Sequence, residues 1–60
     1  MILHVFPRIG TRLSIANAYS QLITLYSGHA YAKHKAAGSL GGAVNGGTIV
    51  LHNGYYTRIK

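Results

Sequence analysis

Sixty residues carry six Lys and Arg, no Asp or Glu and no cysteine, giving a formal net charge of +6. Without Asp and Glu there is no carboxylate side chain for general acid–base catalysis, none to orient a histidine and none to hold calcium or magnesium. Without thiols there are no disulfides and no thiolate metal sites.

A chain this short buries only about 60% of the surface it exposes when unfolded, so a single small domain over 1–60 has a marginal core. Small scaffolds close that gap with staples or partners. The staples are missing here, which leaves other protein subunits or a homo-oligomer as the expected remedy.

The basicity comes from missing acids rather than from abundant cations. Three dispersed pairs carry it: Arg8 with Arg12, Lys33 with Lys35, and Arg58 with Lys60. A dedicated nucleic-acid binder clusters more Lys and Arg on one face. The pairs read either as solvated charges or as contacts to an anionic partner, nucleic acid or a membrane surface. Met1–Phe6 is too short for a secretory signal and Pro7-Arg8 stops it. Arg8–Ser20 has a transit-peptide flavour that rests on two arginines alone.

In chain order, Ile2–Phe6 (ILHVF) is β-branched and aromatic, and Pro7 closes it; it is expected to be a short strand. Gly10-Thr11 offers a turn, with Thr11 as an N-cap. From Arg12 to about Ala37 the pattern is helical. Ile15, Tyr19, Leu22 and Tyr26 recur at spacings of four, three and four and share one face, the expected core or subunit-packing stripe. Gly28 lies mid-run at a cost of roughly 1 kcal/mol relative to alanine, so the helix is expected to break or kink there. Lys33 and Lys35 would then suit the negative C-terminal pole, with Gly38 as the stop.

Five of the eight glycines lie in 36–47, AAGSLGGAVNGG. The favoured reading is a loop, because Gly-Gly and Asn-Gly pairs are what flexible connections use. Two others compete. Gly41–Thr48 has the outline of a phosphate-cradling loop, but Gly47 stands where that loop carries lysine. Gly38, Gly42 and Gly46 at four-residue spacing would form a smooth face on a helix. Residues 13–32 and 36–57 hold no Lys or Arg, yet the mean hydropathy of the chain is only +0.17. That is too polar for a predominantly apolar span, so association on a membrane surface is the form this reading takes.

Thr48–His52 and Tyr55–Ile59 flank Asn53-Gly54, the strongest short-range hairpin signal. The elements together predict an α+β fold in β-α-β-β order: a short N-terminal strand, one helix, a glycine-rich loop and a C-terminal β-hairpin. A three-stranded sheet with a helix across it is the smallest such unit expected to hold together.

No constellation points to catalysis. No acid can orient a histidine beside Ser14, Ser20, Ser27 or Ser39, and no GxSxG elbow is present. His29 and His34 are five apart, the wrong spacing for a shared helix face. His4 and His52 would meet only if the first segment pairs with the hairpin. No cofactor or metal is expected. Tyr55 and Tyr56 alternate across a strand, one toward the core. With Arg58 and Lys60 beside them they can stack a base and hold a phosphate, or lay an aromatic face on protein.

The composition therefore predicts a small basic, non-enzymatic structural or interaction subunit of a larger assembly, a virion component or a ribonucleoprotein accessory. Its expected contacts to an anionic partner are Arg8, Arg12, Lys33, Lys35, Tyr55, Tyr56, Arg58 and Lys60. The alternative is a cationic membrane-active peptide that associates through Gly38, Gly42 and Gly46. An acid-free chain of modest periodicity is also what an unselected reading frame produces, and such a chain need not fold alone.

Overall fold

The computed structural model describes residues 1–60. In chain order the elements are α1 (Ile2–Val5), β1 (Arg12–Ser14), α2 (Ile15–Leu25), α3 (Ala32–Asn45), β2 (Ile49–His52) and β3 (Tyr55–Arg58). The strands make one antiparallel sheet in the order β1-β3-β2, and the helices pack against it in an α+β arrangement. The Cα radius of gyration, 10.6 Å, matches the ~10.4 Å expected of a folded chain of this length.

The hairpin forms as the sequence predicts. Asn53 (φ 51°) and Gly54 (φ 79°) supply the two positive φ values of a type I′ turn. Ile49 then faces Arg58, Val50 faces Thr57, Leu51 faces Tyr56 and His52 faces Tyr55.

The third strand is not the one expected. Ile2–Val5 is a single helical turn, with Phe6 N–H donating to the Ile2 carbonyl at 2.8 Å. A short apolar run is helical or extended with equal ease, and tertiary packing decides. Here it decides for a turn that buries both Val5 and Phe6. The place beside β3 is taken by Arg12–Ser14, which pairs Arg12 with Thr57, Leu13 with Tyr56 and Ser14 with Tyr55.

The helix therefore starts later than Arg12, and its cap is Ser14 rather than Thr11. Ser14 has extended dihedrals and its Oγ accepts from Asn17 N–H at 3.2 Å, an N-cap in the usual geometry. Thr11 closes the turn before β1 instead, with its Oγ1 accepting from Arg8 N–H.

The single helix of 12–37 is two helices. Gly28, at φ 92°, sits in the turn between them. That value is open to glycine and strained for other residues. The segment expected to be a glycine-rich loop is the second half of α3. Gly38, Gly41 and Gly42 lie inside it, and none of the three is a stop. The stop comes at Gly46–Thr48. Thr48 N–H reaches the Ala43 carbonyl at 2.9 Å and Gly47 N–H the Val44 carbonyl at 3.1 Å, with Gly47 at φ 79°. This is the Schellman pattern. Tertiary contact overrides poor helix propensity: Ala36 and Leu40, four apart, are both buried.

The core draws on every element but β1: Val5 and Phe6, Ala18 and Leu22, Ala36 and Leu40, Ile49, and Tyr56. Leu22 from the expected stripe is fully buried, and Tyr19 and Tyr26 pack at its margin. Ile15 does not join them. It is the first residue of α2, immediately after β1, and is 38% exposed.

Candidate anionic-partner interface

Strand alternation and register assign the two faces of the sheet. Tyr56 is buried on the face that meets the helices, so Tyr55 and Thr57 point to the other side. Directly paired residues share a face, which places Arg12, Ser14, Val50 and His52 on that outer side too. The helices leave this face uncovered; Arg12, Val50, His52 and Tyr55 are exposed.

Tyr55 stands on the central strand of the face. The Arg12 guanidinium carbon lies 4.0 Å from its ring centroid. Arg12 is paired with Thr57, one step further along, so its side chain reaches diagonally across the ladder. An exposed cation–π contact of this kind is worth about 0.5–1 kcal/mol. It holds the guanidinium over the ring. With no Asp or Glu in the chain, the guanidinium has no carboxylate side chain to pair with.

The other expected contact residues lie elsewhere. Tyr56 is 8% exposed and belongs to the core. Arg58 is half-buried on the inner side of β3; its Nη1–H donates to the Phe6 carbonyl at 3.0 Å and its Nε–H to the Lys60 carbonyl at 3.2 Å. This side chain ties the chain after β3 to the end of α1. Arg8 is exposed in the turn before β1, and Lys60 is exposed at the last position.

Lys33 and Lys35 occupy the first turn of α3, not the last turn of a longer helix. The break at Gly28 reverses their electrostatic setting. They sit at the positive pole, where a cation is unfavourable, in a first turn with no acidic residue and no side-chain cap. The N-cap is Tyr31, left-handed at φ 67° and 76% exposed. The Tyr31 ring meets His34 edge-on at 5.9 Å between centroids.

The sheet face thus brings together Arg12 and Tyr55 and adds His52, Val50 and Thr57, none of which the sequence singled out as a partner contact. The register of the Asn53-Gly54 hairpin was the signal for His52 and Thr57. Pairing with β1 had none, because the strand itself was read as helix. His4 lies on α1, and α1 does not pair with the hairpin, which removes the premise for a His4–His52 approach. No three His side chains converge as metal ligands. Gly41–Asn45 ends a helix rather than leading into one, the opposite of a phosphate-cradling loop.

No family model, curated protein or solved structure matches this chain.

Proposed function

We propose that this protein is a small basic, non-enzymatic subunit of a larger assembly, of the virion or ribonucleoprotein kind, that contacts single-stranded nucleic acid on its open sheet face. The observation that carries the reading is the Arg12 guanidinium lying over Tyr55, which stands on the central strand, on the face of the sheet that the helices leave open. Single-strand binders combine aromatic platforms with cations that track phosphates, and this pair supplies one of each. The acid-free composition favours any polyanion and leaves no carboxylate to compete for the guanidinium.

The test is fluorescence anisotropy with a labelled oligonucleotide of mixed sequence, titrated at several salt concentrations. Binding is expected to weaken with salt, with a log–log slope of roughly −0.7 per phosphate neutralised. Arg12→Ala and Tyr55→Ala are each expected to weaken it several-fold, whereas Arg8→Ala costs only the general electrostatic share. Equal binding by wild type and the Arg12→Ala/Tyr55→Ala double variant overturns the reading.

A second reading is favoured by one observation. Gly38 and Gly42 are helical, and a Cβ built on either meets nothing within 4 Å, so two of the three glycines present an open smooth face; Gly46 is the C-cap, where a Cβ would lie 3.2 Å from the Gly42 carbonyl oxygen. Such a face is the feature a membrane-active peptide would use. No helix is long and apolar enough to cross a membrane, so this reading requires surface binding, measurable as co-sedimentation with anionic vesicles.

A further inference from the structure

We infer that the free edge of β2 is a self-association surface, pairing antiparallel with β2 of a second copy to form a six-stranded sheet. The inference rests on the assembly reading above and names one of its contacts.

The hydrogen-bond pattern of the hairpin sets the geometry. Ile59 N–H donates to the Thr48 carbonyl at 2.8 Å, which makes Thr48–Ile59 a bonded pair. Antiparallel ladders alternate, so Val50–Thr57 and His52–Tyr55 are bonded pairs while Ile49 and Leu51 turn their N–H and C=O groups away from β3. The unused groups of β2 therefore lie two residues apart, one on each side of Val50. A two-fold axis through Val50 places Ile49 opposite Leu51 of the second copy, and Leu51 opposite its Ile49. All four free N–H groups then meet four free carbonyls. The pattern is self-complementary and closed, as an isologous interface requires.

The two edges of the sheet are not equivalent. β1 has three residues, one of them Arg12, and runs straight into α2. A short edge that carries a charge is a protected one. β2 has no Lys, Arg or Pro, is paired without a bulge, and shows Val50 and, at 51% exposure, Leu51 to solvent. Nothing guards it. Pairing through β2 leaves only the protected β1 at each end of the enlarged sheet, so association stops at two copies.

Charge selects the same edge. Each chain carries +6, and residues 36–57 hold no Lys or Arg. In the two-fold arrangement the nearest basic side chains on the sheets, Arg58 and its mate, are separated by three strand spacings, about 14 Å or more. That exceeds the screening length of about 8 Å at physiological salt. Two strongly basic copies can meet along β2 without apposing their fixed charges.

The experiment uses the full chain without nucleic acid. Sedimentation equilibrium from micromolar to millimolar concentration gives the association state, and amide hydrogen exchange over the same range locates the contact. Protection of the Ile49 and Leu51 amides is expected to rise with concentration, together with dimer formation. Val50→Lys puts two ammonium groups face to face at the axis and is expected to weaken the dimer at least about tenfold. Leu51→Pro removes an N–H that the monomer does not use and is expected to do the same.

A chain that stays monomeric at millimolar concentration, or a dimer whose Ile49 and Leu51 amides exchange freely, overturns the inference. So does a dimer indifferent to both variants. If a variant fails to fold, the exchange data on the wild type still decide. The two proposals separate cleanly: monomeric Leu51→Pro, altered on the opposite face from Tyr55, that still binds oligonucleotide leaves the sheet-face reading intact, and dimeric Arg12→Ala with weakened oligonucleotide binding leaves the β2 contact intact.

Discussion

Tyr26 and Ser39 join the two long helices through a hydrogen bond of 2.7 Å between their hydroxyls. Tyr26 is the C-cap of α2 and Ser39 lies mid-way along α3, so this contact bridges the break at Gly28. A neutral, partly buried hydrogen bond contributes about 1 kcal/mol net. Tyr26→Phe is expected to lower stability by about that amount in urea denaturation. Ser39→Ala added to it should cost little more, because the partner is already gone. A double-mutant cycle with no coupling would show that the hydroxyls do not act together.

The glycines of α3 and of the stop that follows it separate into two groups with opposite expected responses. Gly38 and Gly41 have helical dihedrals and open space above them. Alanine at either should stabilise the protein by about 0.5–1 kcal/mol. Gly47 has φ 79° in the Schellman stop. Alanine there should cost roughly 1–2 kcal/mol. Thermal melts of the three variants check the contrast. Equal effects at Gly38 and Gly47 would mean that the segment is a loop after all.

Those same residues explain what the sequence could and could not convey. The Asn53-Gly54 hairpin was legible because turn chemistry is local and its two positive φ values have few alternatives. The interruption at Gly28 was legible for the same reason. The helix through Gly38, Gly41 and Gly42 was not, since it exists only because Ala36 and Leu40 find the core. Propensity argues for a loop, and packing outweighs it. β1 was hidden because Arg12–Ser14 continues a helical period without interruption. What makes it a strand is the vacant side of β3, a long-range fact. In the candidate site, alternation foretold that one of Tyr55 and Tyr56 turns inward. The Arg12 stack depended on β1 and was invisible.

Lys33 and Lys35 at the start of α3 invite a charge reversal. Lys33→Glu replaces a cation at the positive pole with an anion. It should stabilise the helix by about 0.3–1 kcal/mol at low ionic strength. The gain should shrink as salt is added, because the lysine is exposed and the interaction is screened. A gain that survives molar salt would need a different cause.

Tyr31 holds a left-handed backbone that costs roughly 1 kcal/mol for a residue with a Cβ. It is 76% exposed, so little packing beyond the edge-on contact with His34 is at stake. Tyr31→Asn, which tolerates that region, should raise stability by about 0.5–1 kcal/mol. Tyr31→Val, β-branched, should lower it by at least as much. Chemical denaturation midpoints of the pair decide the sign.

The strand at the middle of the sheet follows both of its neighbours in the chain. β1 and β2 therefore have nothing to pair with until Tyr55–Arg58 docks between them. α1 waits as well, since the Arg58 side chain holds the Phe6 carbonyl across 52 positions of sequence. Helices α2 and α3 can dock early, but the sheet closes in one late event. Until that event Ile49, fully buried in the folded protein, has no strand beside it, so the interval before β3 docks is the one most open to aggregation.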